Sequence, residues 1–203
     1  MAYRRTEQVQ ARLDAQRDRI VSAATHQLAE HGYAGCSIAA VANQAGVAAG
    51  TVYNHVPGKA QLVAEVFRAV VGREVDAVRN AVEAAEPITA ARITALVETF
   101  ALRALKSPRL AYALLVEPVD PVVEELRLQF RVAFRDIAAT AIEAGVVAGE
   151  VPPQDATVVA AALVGAIGEA LGGPLSGDPD PSAVPALITF ALRSIGVTDA
   201  AHA

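Results

Sequence analysis

Tryptophan is absent from this 203-residue chain, aromatic residues make up only 4% of it, and Cys36 is its one cysteine. A single thiol excludes an intrachain disulfide framework and fits a reducing compartment. With so few rings, the core has to be assembled from the alanine, valine and leucine that dominate a 53% hydrophobic composition. That mixture suits close-packed helices. Charge is also sparse, and its net value of −5 argues against a protein that coats nucleic acid indiscriminately. The N-terminal run MAYRRTEQVQARLDAQRDR lacks the apolar core of a signal peptide. No apolar run is read as reaching the ~20 residues that a bilayer span needs. The expectation is a cytoplasmic protein without a membrane partner.

Catalytic signatures are missing too. There is no HExxH, CxxC or GxSxG, and no Gly-rich phosphate loop follows a strand. His26, His31, His55 and His202 are not spaced as metal ligands, since His26 and His31 fall on different faces of one helix. Glu124 and Glu125 read as a solvated helix face. No enzyme, no catalytic residue, no metal and no cofactor are expected.

What the chain does have is an uneven charge distribution. Residues 1–60 carry six Lys or Arg against four acids, whereas the remainder carries 11 against 18. A basic end on an acidic body fits a DNA-reading head on a body with another task. Ordinary solvated charge is the bland alternative, and a motif has to decide between them.

That motif is the stretch Ser37–Lys59, SIAAVANQAGVAAGTVYNHVPGK. Ile38, Val41, Ala42 and Ala45 form the i, i+3, i+4, i+7 face of a short helix. Gly46 supplies the positive φ of a sharp turn. Val47 plugs the bend, and a second short helix sends Val52 and Val56 inward. A small residue for close crossing, a glycine for the bend and a β-branched residue beneath make a helix-turn-helix, whose second helix enters the DNA major groove. Ala48, Ala49, Gly50 and Thr51 would be its low-profile start, suited to base edges. Tyr53, Asn54 and His55 add donors at the flank. Lys59 opens the following helix against its dipole, which a phosphate partner would explain.

The run GYAGCSIAAVANQAGVAAGTVYNHVPGKAQLV resembles the DNA-binding signature of TetR-type transcriptional regulators. The matching residues are Gly32-Tyr33, Ser37, Val41-Ala42, Ala45-Gly46-Val47, Gly50-Thr51-Val52-Tyr53, Pro57 through Lys59, and Leu62. The resemblance covers the first third of the chain. It implies that Tyr53 and Lys59 hold phosphates while the exposed start of the second helix reads bases. Two departures stand out: Ala48 replaces a serine the family often uses as a helix cap, and Val56 replaces a common phenylalanine. The missing cap costs ~1 kcal/mol.

Cys36 precedes the helix opened by Ser37, where a dipole could lower a thiol pKa; the plainer reading is a small buried residue. Arg4 and Arg5 lie on an N-terminal arm that either reaches a minor groove or frays. A first helix is predicted over 9–31, stopping at Gly32. A long helix over 59–85 follows, with Leu62, Val66, Ala69, Val70 and Val78 inward. Later segments are read at 89–106, 109–116, 121–144, 154–171 and 182–195, with Gly145 and Gly149 marking a loop and GGPLSGDPDP a turn-rich connection. The fold class is therefore all-α: a three-helix head over 1–58 and an antiparallel helical bundle over 59–203, about nine helices in all.

The segment 154–171 is apolar nearly all round, so it has to be buried on every side. In the resembled family the last two helices form the dimer interface, which implies a homodimer through about 154–171 and 182–195. The resemblance also implies a small-molecule effector in the body. Candidate lining groups are Glu98, Phe100, Arg103, Tyr112, Glu117, Phe130, Arg131 and Phe134. Phe130 and Phe134 share a helix face, and such a pair is more often plain core.

The reading is a regulator that binds a double-stranded, palindromic operator, most simply a repressor released by an effector. An activator of the same fold is one rival. A helical interaction or ligand-binding module without DNA function is the other, and it would ignore changes at Thr51, Tyr53 and Lys59.

Overall fold

The computed structural model describes residues 7–177 and 180–197. Among them are nine α-helices and no strand: α1 (Glu7–Gly35), α2 (Ile38–Ala45), α3 (Ala49–His55), α4 (Lys59–Ala84), α5 (Thr89–Lys106), α6 (Pro108–Leu115), α7 (Pro121–Ala148), α8 (Ala156–Ser176) and α9 (Ala183–Ser194). The Arg4–Arg5 arm and His202 lie outside the described residues.

The head forms where local chemistry demands it. The Ser37 hydroxyl accepts the Ala40 N–H at 3.2 Å and caps α2. Gly46, at φ 67°, ends α2 while the Val47 N–H returns to the Ala42 carbonyl at 3.0 Å. This is a glycine-closed helix end that only a residue without a Cβ adopts cheaply. Val41, Ala42, Val52 and Val56 are buried beneath the bend. Ile20, Ala24 and Leu28 of α1 are buried in the same core. Gln27 is also buried, and its amide donates to the Gln44 side chain at 2.6 Å, joining α1 to α2.

Several boundaries differ from the sequence reading, each for a physical reason. The regular turns of α1 break at Gly32 (φ 65°, ψ −174°), where the sequence reading ended the helix, and one further turn follows to Gly35. Ala69 on α4 is exposed rather than inward. Gly145 is not in a loop but inside α7, where it is buried against Thr89 of α5; a Cβ there would overlap the Thr89 hydroxyl. Gly149, at φ 73°, ends that helix. Glu150 just beyond accepts the Thr89 N–H and hydroxyl at 2.6 and 2.7 Å, so a distant carboxylate satisfies the start of α5.

The largest correction concerns α8. It continues through Gly172, Gly173 and Pro174 to Ser176, so the start of the supposed turn-rich connection is helical. At 21 residues it is long and apolar enough to cross a membrane by length and composition, contrary to the reading that no run reaches that size. Within one chain it is buried on one side only, so burial on every side, as expected from its composition, calls for a cover from outside the chain. Ala160, Leu163, Ile167, Leu171 and Leu175 form a buried stripe, while Val158 is 63% exposed beside exposed Ala161, Ala162 and Gly165. The stripe packs against α7, α6 and α5, making α8 a bundle helix with one face left open.

The buried residues form one continuous cluster from Ile20 to Ile195. Helix α4 is its spine, with Leu62, Val63, Ala64, Val66 and Phe67 and then Val70, Val71, Val75, Val78 and Val82 all buried. A rigid helix of 26 residues therefore runs from the motif into the bundle.

Candidate functional site

Ala48, Ala49 and Gly50 stand exposed at the start of α3, and open space surrounds the position a Gly50 Cβ would take. Ala48 makes no side-chain cap bond; only the main-chain Thr51 N–H to Ala48 carbonyl bond, 2.9 Å, closes the turn. Tyr53 is 56% exposed and Asn54 is exposed beside it. Thr51, Asn54 and His55 line a groove shared with Gln10, Leu13 and Arg17 of α1. His55 turns toward the protein, its Nε2 lying 3.0 Å from the Gln16 side-chain oxygen.

Lys59 has partners inside the chain. Its ammonium sits 4.3 Å over the Tyr33 ring and 3.5 Å from the Ala34 carbonyl. A cation–π contact accounts for a lysine at a helix start that the sequence argument attributed to phosphate alone. Cys36 is buried, and loss of solvent pushes its thiol pKa up, with Lys59 acting weakly the other way. The thiol stays protonated, and the lowered-pKa reading is withdrawn.

A second constellation, unseen in the sequence, joins head to body. The kink at Gly32 presents the Tyr33 N–H to a Glu117 carboxylate oxygen at 2.5 Å. The Tyr33 hydroxyl donates to Asp120. Burial, and then this bond, push the Tyr33 pKa up to about 12. Arg109 adds a bond to the Glu30 carbonyl at 3.1 Å. Glu117 and Asp120 belong to the short connection between α6 and α7, and Arg127 holds that connection in place. Only 6% exposed, Arg127 donates to the Leu114 carbonyl (2.9 Å), the Glu117 carbonyl (2.8 Å) and Glu124 (2.6 Å). Burial lowers its pKa and Glu124 partly restores it. A buried arginine is costly unless bonded in this way.

Behind the connection lies a cavity of about 340 Å³ lined by α1, α4, α5, α6 and α7. Phe100, Arg103 and Phe134 line it. A smaller space of about 60 Å³ adjoins it, walled by Phe100, Phe130, Arg131, Phe134 and Arg127 among others. Phe100 and Phe134 meet edge to face at 5.0 Å, and Phe130 packs on Phe67 at 5.5 Å. The structure does not bring the other candidates there: Glu98 is exposed on α5, Tyr112 is half-buried on α6, and Glu117 serves the junction. Arg127 was missed because an arginine inside an amphipathic helix pattern reads as surface.

Comparison with known proteins follows this geometry. Residues 20–66 match the model of the bacterial regulatory proteins of the tetR family. No curated protein matches the chain. Among solved structures, a TetR transcription regulator from Haloarcula marismortui superposes with a TM-score of 0.78 at 24% identity, over 90% of this chain and 97% of that one. FadR from Bacillus subtilis, solved in complex with stearoyl-CoA, gives 0.77 at 17% identity, over 89% and 98%. FadR from Bacillus halodurans, a fatty acid degradation regulator, gives 0.74 at 20%, over 86% and 97%. At such identities the structural likeness carries the fold, and the matched segment carries the motif. Residues 20–66 thus carry the helix-turn-helix of the tetR family of bacterial regulatory proteins, set on an all-helical fold shared with solved TetR regulators.

Proposed function

We propose that this chain is a TetR-type transcriptional regulator, a homodimeric, cytoplasmic repressor with a DNA-reading head over 1–58 and a ligand-sensing, dimerising body over 59–203. The observation that carries the reading is the start of α3, where Ala48–Gly50 lie exposed on a helix anchored by buried Val52. Small side chains allow close approach to the major-groove edges, and Thr51 supplies a hydroxyl and a methyl for them. Tyr53 and Lys59 flank this end as phosphate contacts, with Ser37, Asn54 and His55 beside them. Two heads would meet a near-palindromic operator one helical turn apart or a multiple of it.

Exposed apolar surface supports dimerisation through α8 and α9. Val158 is 63% and Phe190 46% exposed, and both lie on helices that already bury their opposite stripes. A second copy is a natural cover for such faces.

The cavity supports release by a small molecule. Its wall includes Thr25 of α1 as well as residues of α4 through α7, so an occupant touches the head and the body together. An occupant that fits better when the heads are wrongly spaced for DNA shifts the population away from the operator by its differential affinity. Helix α4 and the Tyr33–Glu117 junction transmit the change.

The test is a salt-dependent titration of the purified protein against DNA from upstream of its own gene, with scrambled DNA alongside. Tight binding that prefers the native sequence and saturates at one dimer per site is expected. Failure to select any sequence from a random pool would remove the DNA-reading role.

A further inference from the structure

We infer that the cavity takes an apolar-tailed anion, with a carboxylate or phosphate head at Arg73 and Lys106 and its tail against the wall that holds Phe100 and Phe134. This rests on reading the cavity as the effector site.

Three spaces share walls in sequence. The inner space of about 60 Å³ and the middle one of about 340 Å³ have Val71, Phe100, Leu115 and Phe134 in common. The middle space is in the range of about 300–1,000 Å³ usual for small-molecule pockets. It shares Thr25 and Arg73 with an open groove of about 650 Å³ between α1 and α4. The middle space therefore adjoins both of the others.

The middle space has an apolar wall and a charged rim. Val70, Leu110, Ala111 and Leu114 complete the apolar wall of the middle space, which suits a hydrocarbon tail. Its mouth holds Arg73, Arg103 and Lys106 against a single acid, Glu74. Arg103 is committed to Glu74, through its Nε and through a 3.0 Å bond from Nη2. Arg73 and Lys106 remain as the cationic excess. A chain whose net charge is −5 has thus gathered positive charge at the rim of its apolar cavity. An anionic head keeps its hydration and finds cations at this rim, whereas burial deeper in the cavity would strip its water. The outer groove mixes Arg17, Arg68 and Arg73 with Asp18 and Glu65, and it leaves room for a bulky phosphorylated head as well as a bare carboxylate.

The experiment is calorimetric titration of the full-length protein with dodecanoate, dodecyl phosphate and dodecanol, each below its micelle-forming concentration. Dodecanoate or dodecyl phosphate should bind at least about tenfold more tightly than dodecanol, and the stronger of the two identifies the head. Arg73→Gln with Lys106→Gln should bring the anions to the level of dodecanol while leaving dodecanol unchanged; both residues are exposed, so the fold should survive. Ala111→Phe, which fills the apolar passage, should abolish binding of all three while helical content and operator binding persist. If dodecanol matches the anions and Ala111→Phe removes both, the cavity is the site and the charge inference is overturned. If the anions bind equally well to Ala111→Phe protein, the cavity reading itself falls. Absence of binding by any probe overturns the inference as well.

Discussion

Glu117 of the α6–α7 connection accepts the main-chain N–H of Tyr33 in the last turn of α1, at 2.5 Å. The bond exists because Gly32 kinks the helix and leaves no Cβ in the way: one added there would overlap Glu117 Oε1. Glycine, kink and carboxylate form one device across 84 residues of chain.

The device is open to a double-mutant cycle. Gly32→Ala should destabilise by about 1–3 kcal/mol through overpacking and the disfavoured positive φ. Glu117→Ala should cost about 1–2 kcal/mol by stranding the Tyr33 N–H. The double variant should be less destabilised than their sum by about 1 kcal/mol, since the overlap disappears. Urea denaturation at one fixed protein concentration reads all four, and strict additivity would show that the two residues do not meet.

The same junction should respond to alkaline pH. The Tyr33 pKa is raised from its ordinary 10.0 to about 12, foremost by burial and then by the bond to Asp120. A raised pKa means that the folded state holds the proton more tightly. The contribution is complete below pH 10 and declines as pH rises toward and through about 12. The stability difference between the native chain and Tyr33→Phe should therefore be constant up to about pH 10 and shrink above it. A difference that grows with pH would contradict the placement of Tyr33.

At the proposed DNA face, three substitutions should separate reading from holding. Thr51→Ala should relax preference at one base position by about 1–3 kcal/mol. Tyr53→Phe and Lys59→Ala should weaken binding to every sequence, and Lys59→Ala should flatten the logarithmic salt slope by about one. Titrations on specific and scrambled duplexes at several salt concentrations distinguish these outcomes.

The uncapped start of α3 predicts a stabilising change. Ala48→Ser supplies an oxygen for the free N–H groups at N2 or N3 and should raise stability by about 1 kcal/mol, measured by denaturant midpoint. No gain would mean that the turn geometry leaves those groups out of reach.

For the proposed dimer, Val158→Glu combined with Phe190→Glu places charge on the open faces of α8 and α9. The expected result is a monomer by light scattering with retained helical content. A dimer that survives both changes would move the interface elsewhere.

Much of the fold was legible because its signals are local. Ser37, Gly46 and the valines at 41, 52 and 56 specify two helices and a bend through capping, positive φ and helical spacing. The prolines at 108 and 121 begin helices α6 and α7. Legibility failed where a residue answers to a distant partner. Gly145 looked like a loop glycine but makes room for Thr89, and Pro174 looked like a terminator inside a helix that continues past it. Among the cavity candidates, Phe100, Arg103, Phe130, Arg131 and Phe134 were readable as scattered aromatic and cationic groups on apolar helices. Arg127 and Asp120 were not, because their importance lies in bonds to carbonyls and hydroxyls on other elements.

The sequence by itself determined the helix-turn-helix, the all-helical class and the basic head on an acidic body. These follow from spacing, capping and composition within a few turns of helix. Only the tertiary structure decided that α1 docks on the α6–α7 connection, that a buried arginine holds that connection, and that the cavity's mouth is positive. Each of these joins residues tens of positions apart, and local periodicity carries no information about which distant side chains meet.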